Sequence, residues 1–314
     1  MEAGKREASA ACAGDMIRSR WGLEFVWDLW HGCNYRCSYC WFDGQWEALA
    51  KKHLIIPPED WIACWDRIFE RYGSARLHVL GGEPLSYPGS LELFAGLARR
   101  HRLEIHSNLS APLDYFRRLA RTVQPGRVNL TGSFHPQFAS LEHFIAAIDL
   151  LRDGGYRPSV CMVAYPPFLE VVREKRKFFM EQGLAVQVVP FTGRWEGRGY
   201  PEAYTSAERA ALGGILATPG GGRQFELNDD RTFGKLCATG YIRAGVKSNG
   251  DVYRCSRDYE HILGNIFDPG VKLFDAPRPC PAERCNNSCG ERWFLWENWS
   301  MSLMETILPV RGGA

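Results

Sequence analysis

The sequence His31-Gly32-Cys33-Asn34-Tyr35-Arg36-Cys37-Ser38-Tyr39-Cys40 holds three cysteines spaced C-x3-C-x2-C. Protein [4Fe–4S] clusters usually take four cysteine thiolates, so a cluster held by three would leave one iron with an open position. An open iron can bind a small molecule and pass it an electron. Zinc is the alternative, although structural zinc sites favour paired C-x2-4-C spacings and four ligands. A short triplet also disfavours a disulfide framework, so the spacing predicts an open iron–sulfur cluster.

Alternating strand and helix patterns extend outward from this loop. Apolar, β-prone segments predict strands at 23–29, 76–80, 103–107, 127–133, 158–165 and 185–190. Amphipathic segments predict helices at 58–72, 90–101, 115–123, 144–152 and 171–182. Repeated strand–helix units imply parallel strands joined by right-handed crossovers. In barrels of this kind the active site lies where the strands end, and the cysteine loop directly follows the first strand.

A second motif, Gly81-Gly82-Glu83-Pro84, directly follows the second predicted strand. Two successive glycines let the backbone approach a ligand closely. The same residues are also compatible with an ordinary tight turn. Because the motif lies one strand–helix unit after the cysteines, both motifs fall at the same edge of the predicted sheet. Together they indicate a ligand site at that edge.

The two motifs resemble those of the radical S-adenosylmethionine (radical SAM) superfamily, whose signature is C-x3-C-x-aromatic-C. Cys33, Cys37 and Cys40 match the cysteines, and Tyr39 matches the aromatic residue. The resemblance implies a partial (β/α)6 barrel of the TIM type and a [4Fe–4S] cluster whose open iron chelates SAM. It further implies cleavage of SAM to methionine and a 5′-deoxyadenosyl radical, which abstracts hydrogen from a substrate. A low-potential donor such as flavodoxin or ferredoxin would supply the electron.

The resemblance also implies further contacts to SAM. The 81–84 motif matches the family's GGEP motif, which hydrogen-bonds the SAM amino group largely through backbone atoms. Asn108 and Ser133 follow or end the third and fourth predicted strands and are candidate SAM contacts, although Asn and Ser are also common helix caps. His135 is a candidate acid or base for the substrate. A lone histidine is more often a structural hydrogen-bonding group, so both interpretations stay open.

The last third of the chain predicts a second metal site. It holds five of the eleven cysteines, namely Cys237, Cys255, Cys280, Cys285 and Cys289. Segments 242–246 and 252–253 flank Ser248-Asn249-Gly250-Asp251, and an Asn-Gly turn between such segments predicts a β-hairpin. The hairpin places Cys237 before its first strand and Cys255 at its far end, which lets both thiols reach one metal.

This arrangement is similar to the twitch and SPASM extensions of radical SAM enzymes, which bind auxiliary [4Fe–4S] clusters. A full SPASM extension has more cysteines than the five present, so the resemblance is to the shorter twitch form with one cluster. The expected ligands are Cys237, Cys255, Cys285 and Cys289, with Cys280 as a possible substitute. Structural zinc is the alternative here. The predicted domains are a flexible tail at 1–20, the barrel at 21–217 and the auxiliary-cluster domain at 218–314, with a glycine-rich linker at 219–222.

Composition restricts the class of protein. The chain has 314 residues and a net charge of +2, which excludes a broad basic surface for nucleic acid. No apolar run reaches the length of a membrane span, and residues 1–20 lack the apolar core of a signal peptide. Eleven cysteines without a signal peptide indicate a reducing compartment and metal binding. We therefore expect a cytoplasmic protein with no membrane or nucleic-acid partner.

The predicted function is that of a radical SAM enzyme acting on a small molecule or a short peptide, with an oxidative outcome that uses the auxiliary cluster. Two alternatives within the family are a maturase of ribosomally made peptides and a GTP-converting enzyme of the molybdenum-cofactor type. A non-enzymatic alternative is an iron–sulfur or zinc protein for electron transfer or protein interaction. Such a protein has no need of the 81–84 motif or of an open iron.

Overall fold

The computed structural model describes residues 22–51, 54–213, 215–216 and 230–285. The first six strands are Leu23–Trp30 (β1), Ala75–Gly81 (β2), Arg102–Ser107 (β3), Val128–Ser133 (β4), Ser159–Ala164 (β5) and Ala185–Pro190 (β6). The α-helices are Trp46–Ala50 (α1), Pro58–Tyr72 (α2), Ser90–Ala98 (α3), Leu113–Thr122 (α4), Leu141–Asp153 (α5), Leu169–Glu181 (α6) and Ser206–Gly213 (α7). The later strands are Gly193–Trp195 (β7), Arg198–Tyr200 (β8), Asp230–Arg231 (β9), Leu236–Cys237 (β10), Arg243–Val246 (β11), Asp251–Cys255 (β12), Asp258–Asn265 (β13), Arg278–Pro279 (β14) and Arg284–Cys285 (β15).

The main sheet is parallel over its first six strands. β1 to β6 are neighbours in chain order, as strand–helix–strand crossovers require. β11 pairs in parallel with the other edge of β1, and β12 and β13 follow it in antiparallel pairs. The sheet order is β13-β12-β11-β1-β2-β3-β4-β5-β6. The predicted α/β fold with a partial (β/α)6 barrel is confirmed, and each of the six predicted strands ends within one residue of its observed bounds.

The two faces of β1 separate the apolar core from the barrel lumen. Phe25 and Trp27 are buried on the outer face, against Trp61 and Trp65 of α2. The ring centroids of Trp27 and Trp61 are 4.6 Å apart, and those of Phe25 and Trp65 are 5.0 Å apart. Because side chains alternate along a strand, the residues between them face the lumen. This aromatic packing fixes the strand from which the cysteine loop leaves.

A polar cluster occupies the lumen face at the start of β1. The Glu24 carboxylate lies 3.1 Å from Arg76 of β2 and 2.8 Å from Arg243 of β11. His78 Nε2 lies 3.8 Å from the same carboxylate. Burial by itself would raise the pKa of Glu24, but the nearby His78 ring and the charges of the two arginines lower it overall. The cluster therefore links β11 to the first two strands of the barrel.

The predicted hairpin at 242–253 is confirmed. β11 and β12 pair antiparallel, with Gly245 opposite Tyr253. A Cβ atom at Gly245 would lie 1.9 Å from the Tyr253 ring, so any side chain there would displace the ring. Arg67 of α2 donates to the carbonyl of Ile266, just after β13, at 3.3 Å. The hairpin is thus continuous with the barrel sheet and hydrogen-bonded to its first long helix.

The segments that carry the C-terminal cysteines have little regular structure. β10 pairs with β14, and β9 with β15, each over two residues. A small apolar cluster supports them, made of Ala238, Tyr241, Ile242 and Phe274. The predicted tail, the linker at 219–222 and Cys289 lie outside the described residues, and the domain boundaries stay predictions. Among the helices that the structure describes, none has the length and apolar character needed to cross a membrane.

Candidate active site

The N-terminal cysteines lie on the loop that leaves the end of β1. All three are free thiols; Cys37 is 5% exposed, and Cys33 and Cys40 are half-buried. The loop is held by its own backbone, because the N–H of Cys40 donates to the carbonyl of Cys37 at 3.0 Å. Burial raises the pKa of the Cys37 thiol to about 12, so a thiolate there needs a neighbouring cation such as iron.

The 81–84 motif is clamped against this loop by backbone hydrogen bonds. The N–H of Gly82 donates to Trp30 O, and the N–H of Glu83 donates to Gly32 O, both at 2.7 Å. A Cβ atom at Gly81 would lie 2.2 Å from Trp30 O, and one at Gly82 would lie 2.0 Å from Gly32 O. Gly81 also has a φ of 125°, which side chains rarely adopt. Both glycines are therefore required by the approach of the cysteine loop.

The Glu83 side chain braces the ends of two neighbouring strands. It is 1% exposed, and its carboxylate accepts hydrogen bonds from Ser107 Oγ and Asn108 N at 2.7 Å and from Leu85 N at 2.9 Å. Burial raises the pKa of Glu83 to about 7, although the three donors oppose that rise. The side chain thus holds the turn Pro84–Ser86 against the end of β3. The sequence motif predicts a binding role for the backbone of Glu83, but it predicts no role for the carboxylate.

Asn108 links the end of β3 to the cysteine loop. Its Nδ2 donates to Asn34 Oδ1 at 3.0 Å, and its Oδ1 accepts from Ser110 N at 2.9 Å. Both groups of the side-chain amide are thereby engaged within the protein. Ser133 ends β4, where it pairs in register with Cys161 of β5. Direct contact of Asn108 or Ser133 with SAM stays a prediction.

His135 contacts the aromatic residue of the cysteine motif. Its Nδ1 lies 3.0 Å from the hydroxyl of Tyr39, and the two rings are stacked with centroids 5.8 Å apart. Burial lowers the pKa of His135 to about 4, so the ring is neutral near pH 7. Gln137 adds a second link, since its Oε1 accepts from Ser38 N and its Nε2 donates to Ser38 Oγ, both at 3.0 Å. These contacts position the cysteine loop; an acid or base role for His135 stays a prediction.

This geometry fits an iron–sulfur cluster with an open iron. Three free thiols lie on one loop at the end of a barrel strand, and a glycine cradle from the neighbouring strand lies directly against that loop. A backbone without side chains at this point suits a ligand that must approach closely. Among the described residues, no three His, Cys, Asp or Glu side chains are gathered for a single metal ion.

The C-terminal cysteines assemble differently from the expected set. The Cys237 thiol donates to the Cys280 sulfur, which lowers the pKa of Cys280 and raises that of Cys237. Each sulfur also lies near a threonine hydroxyl: Cys237 Sγ is 3.0 Å from Thr239 Oγ1, and Cys280 Sγ is 3.6 Å from Thr232 Oγ1. Cys280, expected only as a substitute ligand, is therefore the direct neighbour of Cys237.

Cys255 is linked through its neighbour Arg254 to the segment that carries Cys280. The buried Arg254 side chain donates to the carbonyls of Arg278 and Pro279 at 2.9 and 2.8 Å. Cys255 directly follows Arg254, and Cys280 directly follows Pro279. Burial first, and after it the nearby charges of Asp258 and Cys280 among others, raise the pKa of Cys255. Cys255 thus follows a residue that is hydrogen-bonded to the segment before Cys280, but the three side chains are not gathered around one metal position in the described part of the chain.

Cys285 lies on a separate pair of short strands. It ends β15 and pairs with Asp230 of β9. Cys289, the fourth expected ligand, lies outside the described residues. The expected set of four is therefore not brought together in the described part of the chain, and ligand assignments here stay proposals.

Comparison with known families identifies the barrel. The family model for the radical SAM superfamily matches residues 27–181, which contain the end of β1, the cysteine loop, the 81–84 motif and strands β2 to β5. This chain contains a radical SAM domain. The chain is 30% identical over 148 residues to molybdenum cofactor biosynthesis protein 1 of Drosophila melanogaster, covering 44% of this chain and 26% of that protein. It is 30% identical over 66 residues to GTP 3′,8-cyclase of Crocosphaera subtropica, covering 21% of this chain and 20% of that enzyme. The chain thus spans about a quarter or less of the length of these curated relatives.

Solved structures share the fold. The structure of anSMEcpe with bound AdoMet and the peptide Cp18Cys has a TM-score of 0.54 and 16% identity, and the match covers 78% of this chain and 77% of that one. SuiB of Streptococcus suis bound to its precursor peptide SuiA has a TM-score of 0.53 and 15% identity, with 80% of this chain and 63% of that chain covered. At such identities the likeness concerns the fold alone.

Proposed function

We propose that this protein is an enzyme that cleaves SAM reductively and uses the 5′-deoxyadenosyl radical to take a hydrogen atom from a small-molecule or short-peptide substrate. The observation that carries the proposal is the clamp between the cysteine loop and the 81–84 motif. Backbone hydrogen bonds and two glycines without room for a Cβ atom hold the thiols and the SAM-binding backbone in one fixed arrangement. An electron-transfer or zinc-binding protein has no use for this arrangement.

The residues of the clamp have separable roles. Cys33, Cys37 and Cys40 would hold a [4Fe–4S] cluster, which when bound supplies the electron for SAM cleavage. The backbone of the 81–84 motif would bind the SAM amino group. Glu83 fixes that backbone through Ser107 and the end of β3, as its three hydrogen bonds require. A low-potential flavodoxin or ferredoxin is the proposed electron donor.

The direct test is product formation by the full chain. Anaerobically reconstituted protein, given SAM and a strong reductant, should form 5′-deoxyadenosine even without substrate, only more slowly. A protein with a full complement of reduced cluster that forms none would refute the proposal. The same assay with methyl viologen–mediated reduction guards against a failure of the chosen reductant.

An auxiliary [4Fe–4S] cluster in the C-terminal part completes the proposed enzyme. We propose Cys237, Cys255 and Cys280 as ligands, because the Cys237 thiol donates to Cys280 and because Cys255 follows Arg254, whose side chain bonds the two residues before Cys280. The fourth ligand is Cys285 or Cys289. A cluster there would accept an electron from the substrate radical, which gives an oxidative outcome, or would help to bind the substrate.

The iron content of cysteine variants shows whether Cys280 is a ligand, as proposed here, or only a possible substitute, as the sequence predicts. The reconstituted wild type should hold about eight iron atoms in two clusters. Cys280→Ala should leave about four, whereas Cys161→Ala, which removes a thiol from β5, should leave the count near eight. A Cys280→Ala protein that keeps about eight iron atoms would show that Cys280 is not a cluster ligand. A wild type with about four irons and one zinc would overturn the auxiliary cluster itself.

GTP conversion is the second candidate function. Both curated relatives favour it, since one is named for molybdenum cofactor biosynthesis and the other for GTP cyclisation. The two solved structures above contain peptides, which favours a peptide substrate instead. Adding GTP to the assay decides between them. A consumption of GTP coupled to 5′-deoxyadenosine formation would support the second candidate, and an unchanged rate would leave the peptide or small-molecule proposal in place.

A further inference from the structure

Asp28 is a half-buried acid on the lumen face of β1. Its neighbours Trp27 and Leu29 are fully buried on the opposite face, so alternation along the strand directs Asp28 into the barrel. The pairing of β1 with β2 is regular up to Asp28 and shifts before Trp30. Bulges of this kind re-aim side chains and are common beside active sites. Asp28 therefore lies at the point where β1 turns toward the cysteine loop.

The strand register places Asp28 in a layer with His106. Asp28 pairs with Leu80 of β2. Val79 pairs with Ile105 of β3, so the next residues along, Leu80 and His106, are also neighbours. Ile105 is fully buried on the outer face, which leaves His106 on the lumen face. Because Gly81 directly follows Leu80, this layer lies one residue below the 81–84 motif.

Neither ionisable side chain of this layer has a partner within the described residues. No hydrogen bond or ion pair of that part of the chain involves the side chain of Asp28 or of His106. Burial raises the pKa of Asp28 to about 6, and burial followed by the charge of His78 lowers the pKa of His106 to about 4. At pH 7 the layer thus holds a carboxylate and a neutral imidazole, both half-buried.

The cations on the same face are already engaged. Arg76 and Arg243 pair with Glu24. Lys247, which follows β11 beside the end of β1, has its ammonium 3.7 Å from the centroid of the Tyr259 ring. Asp28 acts on the same tyrosine, since its charge adds to burial in raising the pKa of Tyr259 to about 12. Within the described residues, Asp28 forms no ion pair with any of these three cations.

We propose that Asp28 and His106 form the floor of the substrate site, and that the substrate carries a protonated nitrogen that pairs with Asp28. This inference rests on the proposed function, because it places the substrate between this layer and the SAM-binding backbone. A partly desolvated carboxylate without a partner is costly, and a ligand cation that pairs with it removes that cost. An anionic substrate would instead meet an uncompensated negative charge. His106, being neutral, offers one donor and one acceptor to the polar groups next to the cation.

Two sources can supply such a cation: the side chain of a lysine or arginine in a peptide, or the amino group of a small cyclic amine. Matched probes distinguish them. The peptide pair is Nα-acetyl-lysine amide and Nα-acetyl-norleucine amide, and the small-molecule pair is cyclohexylamine and cyclohexanol. Each member is titrated into the cluster-loaded full chain with SAM at pH 7, and its dissociation constant is measured by ligand-observed NMR.

The charged member of at least one pair should bind about tenfold or more tightly than its neutral partner, and the pair that shows the preference identifies the source. Asp28→Asn should abolish the preference, whereas Glu92→Gln, the same change at an exposed position of α3, should keep it. Iron content and SAM affinity of each variant report on folding. If Asp28→Asn loses its cluster, Asp28→Ser serves in its place.

Equal binding of charged and neutral members in the wild type, or a preference that survives in Asp28→Asn, would overturn the inference. Absence of binding by all four probes would do the same. These outcomes are independent of the proposed function, which fails on 5′-deoxyadenosine formation and not on ligand affinity. If the wild type makes 5′-deoxyadenosine but shows no charge preference, the proposed function is supported and the proposed substrate site is wrong.

Discussion

The two cysteine regions of this chain are built in opposite ways. Cys33, Cys37 and Cys40 lie on one loop, which is clamped by backbone hydrogen bonds to a strand of a large apolar core. The C-terminal thiols come from separate elements that are joined by two-residue strand pairs and a cluster of four buried apolar residues. The first site is thus organised by the polypeptide itself. The second has a small core, so the proposed auxiliary cluster would contribute much of its stability.

The largest effect is expected when one thiol is removed from the first region, which tests whether that region carries the SAM chemistry. Cys37→Ala should abolish 5′-deoxyadenosine formation and reduce the iron content by about four atoms, because the first cluster would keep only two protein ligands. The fold should survive, since the clamp uses backbone atoms of other residues. Circular dichroism and iron analysis check both points.

The control for this variant is Cys64→Ala. Cys64 is fully buried in α2, where its thiol donates to the Trp61 carbonyl at 3.1 Å. Its loss should lower stability modestly and leave the product yield unchanged. A Cys37→Ala protein with wild-type product yield would remove the first region from the chemistry altogether.

Metal removal should act on the second region alone. Hydrogen exchange of two pairs of backbone amides measures this difference. The first pair is Gly82 and Glu83 in the clamp. In the second pair, Gly234 N donates to Cys280 O at 2.9 Å and Cys280 N donates to Lys235 O at 2.8 Å. In iron-free protein we expect the first pair to stay protected and the second pair to exchange at least about tenfold faster than in loaded protein. Equal protection of both pairs without metal would contradict the proposed difference.

The clamp can be opened without touching a thiol. Gly82→Ala places a Cβ atom 2.0 Å from the carbonyl oxygen of Gly32, so the motif or the loop must shift. Overpacking of this kind typically costs about 1–3 kcal/mol of stability, and we expect SAM affinity to fall about tenfold or more. Calorimetric titration of SAM and thermal unfolding measure the two effects.

Gly126→Ala is the matched control, because a Cβ atom at that position meets nothing within 4 Å. It should leave SAM affinity and unfolding temperature near the wild-type values. If Gly82→Ala binds SAM as the wild type does, close approach of the two loops is not what the motif provides.

The last expected effect is on stability alone and concerns Asp28, which belongs to neither cysteine region. Its pKa is raised by burial from 3.8 to about 6, so the folded state binds the proton more tightly than the unfolded state does. The resulting contribution to stability is complete below pH 4 and is lost as pH rises through 6. Asp28→Asn resembles the protonated form, so it should match the wild type at pH 4. At pH 7 it should be more stable by up to about 3 kcal/mol.

Urea unfolding of iron-free protein at both pH values measures this difference. A stability gain at pH 7 together with a lost charge preference in ligand binding would mean that Asp28 is kept for function at a cost in stability. If Asp28→Asn is less stable than the wild type at pH 7, the carboxylate has a partner inside the protein and the substrate-site inference loses its basis.

The strands and the first site could be predicted from sequence because their signals are local. The cysteine spacing, the Gly-Gly pair and the apolar segments each lie within a few residues. Helix ends were less certain: α5 begins at Leu141, three residues before its predicted start, because Ser140 Oγ accepts from the N–H of His143. The sequence does not predict the short strands β7 and β8 or the helices α1 and α7, since their segments have weak periodicity.

Long-range side-chain contacts could not be predicted. The Glu83 carboxylate meets Ser107 from the next strand, and Tyr39 meets His135 nearly a hundred positions away. Cys280 is the clearest case, because its place beside Cys237 depends on two strands of two residues each. Nothing in the spacing of five cysteines distinguishes that neighbour from Cys285. The polar layer at Asp28 also emerges only from strand register, which one sequence does not reveal.

The most direct test of the central claim is whether SAM binds an iron held by the first cysteine loop. Electron–nuclear double resonance on the reduced, loaded protein, with SAM labelled by nitrogen-15 at its amino group, measures that bond. We predict a nitrogen-15 coupling that is present in the wild type and in Cys280→Ala and absent in Cys37→Ala. A reduced wild-type cluster whose spectrum is unchanged by labelled SAM would contradict the account.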